Sequence, residues 1–316
     1  MINTALPIFL VIFVGFIFAK KEKFTNESEQ LINSYVLNIA LPALLFLAVA
    51  QANINELLRY DFLISTLVGI FIAYILGIIF AFIIKINSPQ SSLVGMASCY
   101  GTTGYMGIPL VIIAFGTIAV VPAAIATILH NIPAIMTVVI TYGIMTQEAE
   151  KKVTTLDIIK SAFLVTLKNP LTLSVLAGMI FTIFNISLPK ILITFSSFLG
   201  SAAGPTALFA LGIGLAKLNI NEHLKINKLL KIFPVVFIKI IIQPLVTFLV
   251  GYYAFNMSLD DIYFKTAIIM AALPVGAGVY VFANKYNYYK EESSIAIMIS
   301  LMITLLTLTY ILNILQ

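Results

Sequence analysis

Long apolar runs separated by short polar breaks make up most of this chain. The runs fall at about 2–19, 31–50, 62–84, 91–114, 117–146, 161–184, 190–216, 229–255, 262–284 and 293–315. Each approaches or exceeds the roughly 20 apolar residues that cross a bilayer as a helix. The pattern predicts an all-α polytopic membrane protein with ten transmembrane helices. Two of the runs are interrupted, at Gly101–Pro109 (Gly-Thr-Thr-Gly-Tyr-Met-Gly-Ile-Pro) and at Pro274–Gly278 (Pro-Val-Gly-Ala-Gly). Glycine and proline leave backbone amides and carbonyls without helical partners. Hydrocarbon cannot satisfy them, so such backbone survives at membrane depth only inside protein or beside a wet cavity.

The halves of the chain repeat each other. The long polar connection at about 147–160 separates the fifth run from the sixth. Pro7, Pro42 and Pro109 recur as Pro170, Pro205 and Pro274, at offsets of 163, 163 and 165 residues. An odd number of spans per half inverts the second half relative to the first. The expected architecture is two inverted five-helix repeats, with broken helices 4 and 9 crossing near the membrane mid-plane. Paired interrupted helices of this kind point to the binding site of a secondary transporter. Half-helix N-termini there would present free N–H groups and positive dipole ends, which favour an anion. Proline kinks without a site are the competing reading.

Composition sharpens this picture. With 61% hydrophobic residues, 10% charged residues and a mean hydropathy of +1.07, an ordinary soluble domain is excluded. The net charge of +5 is a matter of topology and not a nucleic-acid footprint. Fourteen lysines (20, 21, 23, 85, 151, 152, 160, 168, 217, 225, 228, 231, 285 and 290) lie in or beside odd-numbered loops. Only Arg59, Lys190 and Lys265 accompany even-numbered ones. The positive-inside rule then makes the odd loops cytoplasmic and both termini extracytoplasmic, in a cell membrane. The basic residues near the N-terminus follow the first apolar run rather than precede it, so that run is expected to be a span and not a cleaved signal. One cysteine, Cys99, and two histidines provide neither a disulfide framework nor a zinc set, and no catalytic constellation or cofactor motif is visible. An enzyme is not expected.

The candidate site residues gather around the two interruptions. Tyr100, Thr102, Thr103, Gly104, Tyr105 and Pro109 come from the first, and Pro274, Gly276, Gly278 and Tyr280 from the second. The hydroxyls would either touch a ligand or cap broken helix ends. His130 and Asn131, mid-way along the fifth run, are polar at a costly depth. His130 would titrate with substrate or stay neutral against a neighbouring helix. Lys239 is the one charged residue deep in a run, with Gln243 a turn later; an internal structural contact is favoured over substrate attraction. Asn38, just before Pro42, would reach the site or cap the kinked backbone. No aspartate or glutamate lies deep in a run, which disfavours carboxylate-based ion coupling.

At these residues a family becomes recognisable. Ala272-Leu-Pro-Val-Gly-Ala-Gly-Val-Tyr-Val-Phe-Ala-Asn-Lys-Tyr286 resembles the ninth-helix signature of the auxin efflux carrier family, and Gly104-Tyr-Met-Gly-Ile-Pro-Leu110 resembles the fourth. Ala40-Leu-Pro42, Asn169-Pro170 and Ala207-Leu-Phe-Ala-Leu-Gly212 match further positions in order, and the short central loop is similar to that of bacterial members. The resemblance implies a carrier of small organic anions, carboxylates among them, that works by elevator-type movement and dimerises through its scaffold. It also implies a division of the chain. Scaffold helices would occupy 1–60 and 161–226, transport-domain helices 61–146 and 227–316, with a cytoplasmic linker at 147–160. Many bacterial members carry asparagine where this chain has Thr102 and Gly278, so coordination here would lean on backbone amides and hydroxyls. A transport-inactive membrane sensor on the same fold is the alternative.

Overall fold

A computed structural model describes residues 2–150, 156–157, 160, 163–164, 167–216 and 226–315. Much of the expected 147–160 linker, and the stretch holding Lys217 and Lys225, lies outside these residues. Among the described residues every regular element is helical, and one isolated antiparallel bridge joins Gly101 to Val275. Six stretches are long and apolar enough to cross a membrane: Glu27–Ala50, Ile54–Ile83, Thr117–Thr146, Lys190–Ala216, Leu229–Ala254 and Lys290–Leu315. Large apolar side chains, among them Leu10, Phe13, Ile75, Phe198 and Leu306, face outward. In water each would forfeit roughly 1.5–3 kcal/mol of burial; against lipid the penalty disappears. The protein is a polytopic membrane protein.

The elements follow the apolar runs. They are α1 (Ile2–Lys20), α2 (Asn26–Tyr35), α3 (Leu41–Ala50), α4 (Ile54–Leu57), α5 (Tyr60–Ile83), α6 (Ser91–Cys99), α7 (Ile108–Phe115) and α8 (Val120–Glu150). After the central segment come α9 (Pro170–Ile183), α10 (Lys190–Ser201), α11 (Ala203–Ala216), α12 (Ile226–Phe237), α13 (Gln243–Leu249), α14 (Ile262–Ala271), α15 (Gly278–Lys285) and α16 (Lys290–Leu315).

Proline accounts for a recurring local feature. Single π-helical turns at Val36–Ala40, Thr103–Gly107 and Ile238–Ile242 each end immediately before an X-Pro pair: Leu41-Pro42, Ile108-Pro109 and Gln243-Pro244. In each pair the residue before proline donates its N–H five residues back, to the carbonyls of Val36, Thr103 and Ile238 respectively. The proline ring crowds the carbonyl four residues back and offers no N–H. Widening the preceding turn by one residue relieves that crowding without ending the helix. Pro42 and Pro109 are therefore absorbed into continuous helix.

Close helix approach is bought with glycine. α1 lies along α11, and Gly15 and Gly212 meet backbone: a Cβ on Gly15 would strike the Phe209 carbonyl, and one on Gly212 the Ile12 carbonyl. Small residues drive membrane helices together by this route. Gly212→Val is expected to cost about 1–3 kcal/mol through overpacking, read as a lower melting temperature of the detergent-solubilised protein. An unchanged melting temperature would contradict the contact. α3 packs on α9 and α10, whereas α5 packs on α6, α8, α13 and α14. At the start of α5, Arg59 donates from Nη2 to Asp61 at 2.6 Å and to Asp261 at 2.5 Å, and stands 4.7 Å from the centre of the Tyr263 ring. It clasps α5 to the start of α14.

The fourth and ninth apolar runs each have one unwound place among the described residues. The first is shorter than the Gly101–Pro109 expected from sequence: only 100–102 is unwound, and helix resumes at Thr103. Pro109 is accordingly the second residue of α7 and packs on Gly204. The second interruption covers 272–277, with Pro274 inside it.

Candidate functional site

The two unwound segments hydrogen-bond to each other. Thr102 N donates to Pro274 O at 3.1 Å, and Gly276 N donates to Tyr100 O at 2.9 Å. Val275 N donates to Ser300 Oγ on α16 at 3.0 Å. The last carbonyl of α14, Ala271 O, accepts from Lys239 Nζ at 2.6 Å. These bonds satisfy much of the backbone that the interruptions free.

They leave the helix beginnings open. Thr103, Gly104 and Tyr105 start the helix after the first interruption, and Ala277 and Gly278 start α15 after the second. Amides so placed have no intrahelical acceptor. All five residues line one cavity of about 40 Å³, which is lined further by Leu37, Leu41, Leu171 and Asn131. At about 10–15 Å³ per water-sized group, it holds roughly the three heavy atoms of a carboxylate. Two helix N-termini aimed at one cavity add their dipoles, each offering a negative group typically 0.3–1 kcal/mol and about 2 kcal/mol when partly buried.

Tyr100 shapes this cavity. Its ring lies against Gly276 and Gly278: a Cβ on Gly276 would sit 2.7 Å from two ring carbons, and one on Gly278 only 2.7–2.9 Å from Cε1, Cζ and Oη. The space that an asparagine at position 278 would take is filled by the tyrosine ring. Tyr100 Oη donates to Asn131 Oδ1 at 2.5 Å, while Asn131 Nδ2 donates to Thr127 O at 2.7 Å and to Thr103 Oγ1 at 3.4 Å. Both ends of the asparagine amide are thus fixed, and its orientation follows from its partners.

Of the residues singled out from sequence, Tyr100, Thr102, Thr103, Gly104, Tyr105, Asn131, Gly276 and Gly278 line the cavity. The others sit elsewhere. Asn38 Nδ2 donates to Ser34 O at 2.8 Å, bracing its own helix, and Pro42 and Pro109 follow π-helical turns. Pro274 shapes the second interruption through its carbonyl, and Tyr280 is exposed. His130 is fully buried one position from Asn131, and therefore about 100° round the helix. Its Nδ1 lies 2.9 Å from Ala126 O, which can only accept, so Nδ1 carries the proton. Nε2 is then the acceptor for Gln243 Nε2 at 3.3 Å, an arrangement that suits a neutral imidazole. Lys239 is wholly buried between the interruptions; a Cβ on Gly101 would lie 3.3 Å from its Nζ.

Sequence reasoning passed over Leu37, Leu41, Leu171 and Ala277, which carry no polar signal. It also passed over a second cavity of about 190 Å³, which shares Asn131 and Leu171 with the first and is lined further by Thr127, Asn169, Thr172 and Phe282. Asn169-Pro170 is a legible helix start, with a capping side chain and proline at the first helical position.

Residues 1–312 match the family described as "Membrane transport protein". The chain is 28% identical over 315 residues to a Rhizobium meliloti protein named "Putative malonate transporter", covering 98% of this chain and 94% of that one. It is 22% identical over 311 residues to the "Uncharacterized transporter YfdV" of Escherichia coli K12, covering 95% of this chain and 93% of that one. A Shigella flexneri protein of the same name matches to the same extent.

Proposed function

Since the chain belongs to the membrane transport protein family, the auxin efflux carrier family that its motifs resemble, we propose that it is a secondary carrier of a small organic anion, a carboxylate. The observation that carries this reading is the cavity of about 40 Å³ onto which the starts of two interrupted helices open, with five amides that lack intrahelical acceptors. The malonate in the name of the Rhizobium meliloti relative agrees with a carboxylate.

In this reading the chain is two inverted five-helix repeats, with helices 4 and 9 broken and crossing at the substrate. Helices of 1–60 and 161–226 form the scaffold; those of 61–146 and 227–316 form the moving transport domain. Cavity residues from both sets support this division: Leu37, Leu41 and Leu171 come from the first, and Tyr100–Tyr105, Asn131 and Gly276–Gly278 from the second. A substrate held at such a boundary changes sides when one set slides past the other, as an elevator. The scaffold would pair two copies, and the lysine distribution puts both termini outside the cell.

The test is counterflow in proteoliposomes. Labelled malonate should accumulate against an internal unlabelled pool. Malonamide, its uncharged isostere, should compete at least about tenfold less well, since two dipole ends together reach about 1.4 kcal/mol or more. Equal competition by the amide would remove the anion from the reading. Binding without exchange would make the protein a sensor.

A further inference from the structure

We propose that Lys239 couples a proton to the transported anion: its buried amine takes up one proton from solution when the cavity between the interruptions is filled and returns it when the cavity empties. The inference rests on the carboxylate-carrier reading and adds what drives the transport.

The surroundings of Lys239 suit such a switch. The side chain is fully buried, and among the described residues its Nζ bonds to Ala271 O at 2.6 Å with no carboxylate against it. No aspartate or glutamate lies deep in any apolar run. A buried ammonium without a counter-ion is costly, and the C-terminal end of α14 at Ala271 offsets that cost only in part. The missing negative charge is what the cavity would hold. A Cβ on Gly101 would lie 3.3 Å from Nζ, and Gly101 lines the cavity, so the amine stands directly against the cavity wall. While the cavity is empty, the positive ends of two helices oppose a further positive charge; an anion there reverses the sign. The weakly polar interior carries that attraction without contact. Anion and proton therefore favour each other's binding.

The other titratable groups are less suited to the role. The turn Ile238–Ile242 packs on α5, α6 and α16. From α6 comes the buried Cys99, whose thiol already carries its proton and donates to Met96 O at 3.6 Å. From α8 comes His130; a proton on its Nε2 would require the Gln243 amide to turn over, because Gln243 Nε2 donates there. Both are near enough to feel charge on Lys239. α5 brings Tyr74, bonded to Thr141 Oγ1, and the first interruption brings Tyr100, bonded to Asn131. α13 has no titratable residue, nor has α16 between 293 and 309; Lys231 of α12 is eight residues away, more than two turns.

Calorimetry of malonate binding tests the coupling on purified full-length protein, in buffers of different ionisation heat from about pH 6 to about pH 10, a range that reaches lysine's ordinary value of about 10.4 from well below. Native protein should take up close to one proton per malonate over part of that range. There, affinity should fall by up to about tenfold per pH unit as the pH rises, because the empty site has lost the proton and the filled one keeps it. Lys239→Gln, neutral but still a hydrogen-bond donor, and Lys239→Met should take up none, with affinity flat within about twofold. Cys99→Ala and His130→Gln should keep the uptake. In proteoliposomes an inward proton gradient alone should drive malonate accumulation by native protein. Malonate binding without proton uptake at any pH in the range would overturn the coupling and leave the carrier reading standing. Uptake that survives both Lys239 variants, or that disappears in Cys99→Ala or His130→Gln, would place the proton elsewhere and overturn it too. Failure of the native chain to bind malonate would overturn the carrier reading itself.

Discussion

Gly278→Val should abolish most malonate binding while the protein still folds. The position does not need glycine for its backbone: among the described glycines, Gly116 carries a positive φ and Gly278 does not. What glycine supplies is room. A Cβ there would stand 2.7–2.9 Å from the ring edge and hydroxyl of Tyr100, so the ring has to swing away. Swinging breaks the 2.5 Å bond to Asn131 Oδ1 and frees an amide that lines both cavities. The valine methyls meanwhile occupy a space of only about 40 Å³. Overpacking of this kind costs about 1–3 kcal/mol of stability. Losing the cavity should cost affinity at least about tenfold, since the amides lose their ligand altogether. Titration calorimetry with malonate, beside a melting curve, separates the two effects. Gly278→Val with Tyr100→Ala should recover neither stability nor affinity: the clash is relieved, but the missing ring leaves a void and Asn131 has lost its donor. Native affinity in Gly278→Val would place the ligand elsewhere.

Both interruptions were legible in the chain because they depend on residue types with fixed backbone behaviour. Glycine and proline clustered inside apolar runs mark lost helical bonds wherever they occur. What sequence could not give was which proline breaks the helix. Pro109 and Pro274 look alike in a run, yet Pro109 is accommodated by the π-helical turn Thr103–Gly107 while Pro274 lies in unwound chain. The difference is set by what each segment can bond to across space, as Thr102 N does with Pro274 O. The adjacent polar pair His130 and Asn131 teaches the same lesson at side-chain level. Depth in the bilayer singles out both, but one turns to the cavity and the other to Gln243. That choice depends on the neighbours around the helix. Tyr100 filling the space beside Gly278 is a contact between residues 178 positions apart, visible only once the chain is folded.

Lys239→Ala should be the most destabilising single truncation in the described helices around the two interruptions. The side chain is among the largest that are fully buried, and its Nζ holds Ala271 O at 2.6 Å. Ala271 ends α14, so the amine donates to the negative end of a helix dipole. Removing the side chain leaves a void, which for comparable buried side chains costs about 2–5 kcal/mol. It also orphans a buried carbonyl, at about 1–3 kcal/mol more. Both penalties act in the same direction, whatever charge the amine carries. Lys239→Met fills most of the void without restoring the bond, so its melting temperature should fall between those of Lys239→Ala and the native protein. Malonate affinity then asks a separate question of the same residue. The 3.3 Å approach of Nζ to the Cβ position of Gly101 puts the ammonium behind the first interruption and not in the cavity lining. Lys239→Met should therefore weaken binding by less than Gly278→Val does, through the position of Ala271 and the chain after it. A loss of malonate binding in Lys239→Met as large as in Gly278→Val, with the melting temperature unchanged, would instead make the ammonium a direct partner of the anion. That result would move the charge recognition of this site from its backbone amides to a side chain.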